Sequence, residues 1–151
     1  MHQSEKFYRM PAFVTLSVSD IARSIAWYQE NLGFDLVYKI DGDEGQTMLA
    51  HLRYSKYADL LLAPTRNNIE GQRGLGAMLT FSIFDESVDR FAERLRNANW
   101  VFDGPVDRPW NTRELVVRDP DGYLLTFTQP LNTELDLDTV ISNVHNRDME
   151  H

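Results

Sequence analysis

Ala12-Phe13-Val14-Thr15-Leu16-Ser17-Val18-Ser19-Asp20-Ile21-Ala22-Arg23-Ser24-Ile25-Ala26-Trp27-Tyr28 changes its period halfway along. Residues 12–18 alternate apolar with hydroxyl side chains, as a strand with one face buried does. Asp20 then offers a carboxylate to the free backbone N–H groups of a first helical turn. Ile21, Ile25, Tyr28 and Leu32 recur at helical spacing, and Asn31-Leu32-Gly33 supplies the stop.

Working outward, strands are expected over 35–40, 47–54 and 59–63, with Asp41-Gly42-Asp43-Glu44-Gly45 as the first turn. A polar, Gly-rich stretch over 64–76 reads as a linker, and the order then repeats. Residues 77–83 form a strand, Asp85 is a second cap, and Val88, Phe91, Ala92 and Leu95 form the second helical stripe. Strands follow over 100–103, 113–118 and 123–129, and Asp119-Pro120-Asp121-Gly122 turns between the last two. The caps lie 65 residues apart. Aligning Leu60-Leu61-Leu62 with Leu124-Leu125-Thr126 gives an offset of 64. So near-constant a spacing implies two copies of one βαβββ unit. The expected architecture is α+β: a domain over 11–130, with modules at about 11–63 and 77–130, forming a curved mixed sheet cup with helices outside. Residues 1–10 read as an N-terminal extension. The tail, 131–151, reads either as a short amphipathic helix through Leu135, Leu137, Val140, Ile141 and Val144, frayed from Asn146, or as a disordered end.

Composition narrows the function. The 151 residues carry 15 Lys+Arg against 23 Asp+Glu, a net charge of −8. Such a balance argues against nucleic acid as a partner, since phosphate neutralisation needs clustered cations. The absence of cysteine removes disulfides, thiolate metal sites and cysteine nucleophiles. No apolar run reaches the ~20 residues of a membrane span, and the first residues lack a signal-peptide core, so a cytoplasmic protein without a membrane partner is expected. No Gly-x-Ser-x-Gly elbow is present, and Gly71-Gln72-Arg73-Gly74-Leu75-Gly76 lacks the Lys-Ser/Thr ending of a phosphate loop. His51 is the one histidine in an expected strand, where packing is a commoner role than ligation.

The run from Val18 to Tyr28 with Asn31-Leu32-Gly33-Phe34, and the run Pro109-Trp110-Asn111-Thr112-Arg113-Glu114-Leu115-Val116-Val117-Arg118-Asp119-Pro120-Asp121-Gly122, resemble the two signatures of the vicinal oxygen chelate superfamily. This is the glyoxalase/bleomycin-resistance/dioxygenase group, and the resemblance covers about residues 11–130. The Pro-Trp-x-x-Arg-Glu and Arg-Asp-Pro-x-Gly elements are most similar to bleomycin-resistance-type members. The resemblance implies a divalent metal in enzymatic members, held by His, Glu or Gln on the first and last strands of each module. Carried onto this chain, those positions fall at Phe13, Leu62, Met78 and Thr126. Phe, Leu and Met offer no good donor to such ions, and one threonine cannot hold one alone. No metal and no cofactor are therefore expected.

Alternation puts Phe13, Thr15 and Ser17, then Met78, Thr80 and Ser82, on the face away from the helices. That mixture of hydroxyl, aromatic and soft groups suits a ligand cavity. The expected ligand-binding residues are Phe13, Thr15, Tyr38, Leu62, Met78, Thr80, Trp110 and Thr126. Trp110 reads either as a stacking lid or as loop packing, and Trp100 and Phe102 add aromatic surface. Arg113 and Glu114 are expected to pair with each other on the strand edge. The leading expectation is a metal-free small-molecule binder that sequesters an antibiotic-like or aromatic ligand in a homodimer cleft. The rivals are a metal-dependent lyase, dioxygenase or thiol transferase of the same superfamily, needing either a different strand register or ligands such as His51 and Glu114 to converge, and a ligand-free interaction scaffold.

Overall fold

The computed structural model describes residues 8–66 and 70–148; the rest of the N-terminal extension, three linker residues and the last three residues lie outside the described residues. Strand β1 (Val14–Val18) leads into helix α1 (Ile21–Leu32), followed by β2 (Asp35–Asp41), β3 (Thr47–Ser55) and β4 (Ala58–Pro64). The second copy comprises β5 (Met78–Ser82), α2 (Val88–Asn97), β6 (Phe102–Arg108), β7 (Thr112–Arg118) and β8 (Leu124–Pro130), and α3 (Leu137–Asp148) closes the chain. The two sheets have the same order, β1-β4-β3-β2 and β5-β8-β7-β6, with the first pair of each parallel and the rest antiparallel. The architecture is thus α+β, two βαβββ modules. Two compact units follow this division, except that Asp119–Tyr123 groups with the residues up to Leu75.

In the first unit, Asp20 caps α1 by accepting the Arg23 N–H at 3.0 Å, and Gly33 ends it at φ 72°. A side chain there would meet the left-handed penalty that glycine avoids. The buried stripe is Trp27, Tyr28 and Leu32 with Ser24 and Asn31, rotated from the expected one so that Ile21 and Ile25 sit at its margin. It packs on Leu16, Val18, Ala50, Leu52, Leu60 and Leu62, all buried. Asp119 anchors the returning turn: its Oδ1 accepts the N–H groups of Asp121 and Tyr123, both at 2.9 Å. Its Oδ2 accepts the Tyr28 hydroxyl at 2.9 Å.

In the second unit, the helical stripe is as expected: Val88, Phe91, Ala92 and Leu95 are buried. The Phe91 and Phe127 rings lie 4.3 Å apart, and Phe81 stacks on Phe127 with centroids 5.6 Å apart. The cap differs. Ser87, not Asp85, accepts the Arg90 N–H at 3.2 Å, because burial of Val88 starts the helix two residues later. Ser87→Ala should therefore lower stability by about 1 kcal/mol, read as a denaturation midpoint, whereas Asp85→Ala should be nearly neutral. Strand β6 also runs five residues beyond the expected 103. It does so around a bulge at Gly104, where φ is +97° and a Cβ would stand 2.6 Å from the Glu114 carbonyl oxygen.

Of the two readings of the tail, the helix is present, and it continues through Asn146 and Arg147. Its apolar positions Leu137 and Ile141 are exposed. Among the described residues, no helix is long and apolar enough to cross a membrane.

Candidate functional site

Each sheet buries one face under its helix, and the register decides which residues stand on the other, where some are exposed and some are buried. In the first unit Thr15, Leu61, His51 and Tyr38 form a row across β1, β4, β3 and β2. Leu62 is the correction. It pairs with Leu16 and Ala50 on the helix side and is fully buried. Thr15 faces Leu61 just as Thr80 faces Thr126, so the offset between the copies is 65 on the last strands as well. Three consecutive leucines conceal a one-residue slip, and a slip of one exchanges faces. Phe13 lies one residue before β1 and is 52% exposed, and Thr15 and Tyr38 also reach solvent.

Beside that row is a buried polar cluster that the sequence reading missed. His51 Nε2 and Arg53 Nε each stand 2.7 Å from Asp59 Oδ1, and the Tyr8 hydroxyl donates to Oδ2 at 2.6 Å. The Arg53 guanidinium lies 4.1 Å from the centroid of the Tyr8 ring, and the Tyr57 N–H donates to the Tyr8 oxygen at 2.7 Å. Burial raises the Asp59 pKa, but hydrogen bonds from Tyr8, His51 and Arg53, with the Arg53 charge, outweigh it and hold the carboxyl below its ordinary value. Burial and the bond to Asp59 together push the Tyr8 phenol up. Tyr8 thus ties the end of the expected extension into the first module. A partial signal existed, since His51 and Arg53 are two apart on one strand; centring the hairpin on Lys56-Tyr57 would set Leu60 opposite Arg53, and the register shift between Arg53 and Ser55 brings Asp59 there instead.

In the second unit, Met78 is 53% exposed and Thr80 is exposed, both on the open face. Thr126 is on that face too, but it is covered, and its hydroxyl donates to the Met78 sulfur at 2.9 Å. Trp110 is half-exposed, and its indole N–H donates to Glu114 Oε1 at 2.8 Å. Thr112 donates to the same oxygen, and Arg108 Nε lies 3.4 Å from Oε2. The expected Arg113–Glu114 pair does not form. Neighbours on a strand point to opposite faces, and Arg113 instead bridges Asp89 and Asp107. Trp100 and Phe102 line a separate hollow of about 460 Å³ with Val116, Val117 and Leu124.

The residues at the metal-ligand positions that the resemblance implies, Phe13, Met78 and Thr126 with Leu62 or, after the register correction, Leu61, do not fit a divalent ion: the apolar and thioether side chains carry no oxygen or nitrogen donor, and the Thr126 hydroxyl is engaged with a thioether. His51 and Glu114 do not bring a donor set together either, each being held by partners in its own unit. Among the described residues, no three His, Cys, Asp or Glu side chains group as a metal site would need.

Two mixed β1-β4-β3-β2-type sheets, each with its helix on one face, define a class of protein, and sequence comparison agrees. The chain belongs to the Glyoxalase/Bleomycin resistance protein/Dioxygenase superfamily, whose profile matches residues 11–127. The virulence protein STM3117 of Salmonella typhimurium is 27% identical over 124 residues, covering 77% of this chain and 81% of that protein. Among solved structures, TnmS3, an antibiotic binding protein from Streptomyces sp. CB03234, is 28% identical with a TM-score of 0.58, covering 78% of this chain and 93% of its own. Lactoylglutathione lyase from Agrobacterium tumefaciens has a TM-score of 0.61 at 18% identity, covering 82% and 95%. At that identity it shares the fold, and no activity follows.

Proposed function

We propose that this protein binds an aromatic, antibiotic-like small molecule without a metal and acts by sequestration, making and breaking no bond. The observation that carries the reading is the pairing of two facts. Phe13, Thr15, Tyr38, Met78 and Thr80 are left exposed on the faces opposite the helices, while the superfamily's ligand positions lack metal donors. Exposed aromatic groups beside hydroxyls favour a planar ligand with a polar rim, and half-exposed Trp110 adds a stacking surface. A net charge of −8 favours a cationic ligand over an anionic one. The likeness to an antibiotic binding protein points the same way. A homodimer, completing the cleft across two copies, is part of the proposal.

Titration calorimetry tests it. Chelator-treated protein should give no binding heat with Zn²⁺, Ni²⁺, Mn²⁺ or anaerobic Fe²⁺, and saturable heat with at least one member of a panel of cationic aromatic drugs. Stoichiometric metal binding would overturn the proposal and bring lyase and dioxygenase assays to the front.

A further inference from the structure

The face of the first sheet away from its helix holds a buried polar atom that no described residue satisfies. Asp59, held ionised by its neighbours, can only accept hydrogen bonds. His51 must therefore present Nε2–H to it across their 2.7 Å contact. In a neutral imidazole this leaves the lone pair on Nδ1. That atom is buried and has no hydrogen-bond partner among the described residues, although the His51 side chain is only 4% exposed. Buried acceptors are ordinarily satisfied, if not by protein then by water or a ligand. Its surroundings are those of the binding row: Leu61 on one side, and on the other Tyr38, whose ring stands edge-on to the imidazole with centroids 5.1 Å apart. Tyr38 is on an edge strand and reaches solvent, so this end of the row is accessible from outside.

We propose that His51 Nδ1 is the hydrogen-bond acceptor of a ligand subsite, and that the subsite takes a planar ring bearing an O–H or N–H donor. The inference rests on the binding reading above and sharpens it by naming the group recognised. Arg53 and Tyr8 are positioning residues here: through Asp59 they fix the imidazole tautomer and ring orientation. Nothing in this subsite requires a metal.

The probes are phenol, which carries the donor, and anisole, which has the same ring without it. On full-length protein with ¹⁵N-labelled histidine, the His51 resonances should show a protonated Nε2 and a bare Nδ1. Phenol should move the Nδ1 resonance saturably and anisole should not. His51→Gln keeps an amide donor for Asp59 but has no acceptor where Nδ1 stood. It should weaken phenol binding roughly 3- to 10-fold, the range of one neutral hydrogen bond, and leave anisole binding unchanged. Because the wild-type titration needs no variant, a misfolded His51→Gln would not rescue or sink the idea. Equal Nδ1 responses to the two probes would overturn the proposal, as would unchanged phenol affinity in the variant, which leaves Nδ1 to an ordered water. If neither probe binds while a cationic aromatic drug does, this inference fails and the sequestration reading stands. If no aromatic compound binds, both fall.

Discussion

Asp59→Ala is expected to destabilise the protein by about 3–5 kcal/mol, the cost of removing one partner from a buried ion pair. Arg53 is only 2% exposed, and Asp59 Oδ1 takes both its Nε and the His51 Nε2, while Oδ2 takes the Tyr8 hydroxyl. Removing the carboxylate takes the shared acceptor from three donors at once. Asp59→Asn should cost less, because its amide oxygen still accepts, but a buried charge then faces a dipole instead of an anion. A pH dependence accompanies this. The Asp59 pKa in the fold lies below the ordinary 3.8, so its stabilisation is complete above that value and is lost as pH falls through the lowered folded one. Wild type should therefore lose stability on acidification in this range, and Asp59→Asn should lack that part of the loss. Urea midpoints measured from neutral pH down to about pH 3 check both points. A wild-type and Asp59→Asn pair with parallel acid limbs would show that the cluster does not supply the dependence.

How far the sequence alone reaches is plain at particular residues. Element order and the helical stripe Val88-Phe91-Ala92-Leu95 are legible because periods of two and of 3.6 differ sharply within a few residues. Asp20 is legible as a cap because it stands directly before Ile21, where the helical stripe begins, whereas Asp85 and Ser87 are both good acceptors and the packing of Val88 chooses between them. Leu60-Leu61-Leu62 carries no alternation, so only its pairing with β1 reveals that Leu61, not Leu62, faces the open side. The same limit hid the Asp59 cluster. Its members are 51, 8 and 6 residues from Asp59 along the chain and meet only once the hairpin register and the path of Tyr8 are known. Arg113 and Glu114 look paired because they are adjacent, which on a strand is the arrangement that separates them. Of the expected binding residues, Phe13, Thr15, Tyr38, Met78 and Thr80 reach solvent, the last four from edge strands that are flanked on one side only. Thr126 stands on β8, between β5 and β7, and is covered.

Asp119 offers the second large effect, and it tests why the Arg-Asp-Pro-x-Gly element is built as it is. Asp119→Ala should cost about 3 kcal/mol, since two backbone N–H groups of the turn and the buried Tyr28 hydroxyl all lose their acceptor. For a chain of this length that is roughly a 6–12 °C fall in Tm. Tyr28→Phe should cost only about 1 kcal/mol, because it removes a single bond and leaves the carboxylate its two backbone donors. If the three bonds act as one unit, the double variant should cost less than the two single ones added together, which a double-mutant cycle reads directly. The charge state sets a further expectation. Burial raises the Asp119 pKa despite the bonds it accepts, so the folded state favours the protonated acid more than the unfolded chain does. The contribution of this group is therefore complete below the unfolded aspartate pKa and falls away as pH rises through the raised folded one, opposite in sign to Asp59. Asp119→Asn imitates the neutral form, keeping an oxygen for the turn N–H groups and placing an amide N–H against the Tyr28 hydroxyl, which then accepts instead of donating. It should hold most of the wild-type stability at neutral pH, within about 1 kcal/mol, where alanine does not. Were asparagine as damaging as alanine, the turn would depend on the charge itself and burial would not be the dominant influence on Asp119.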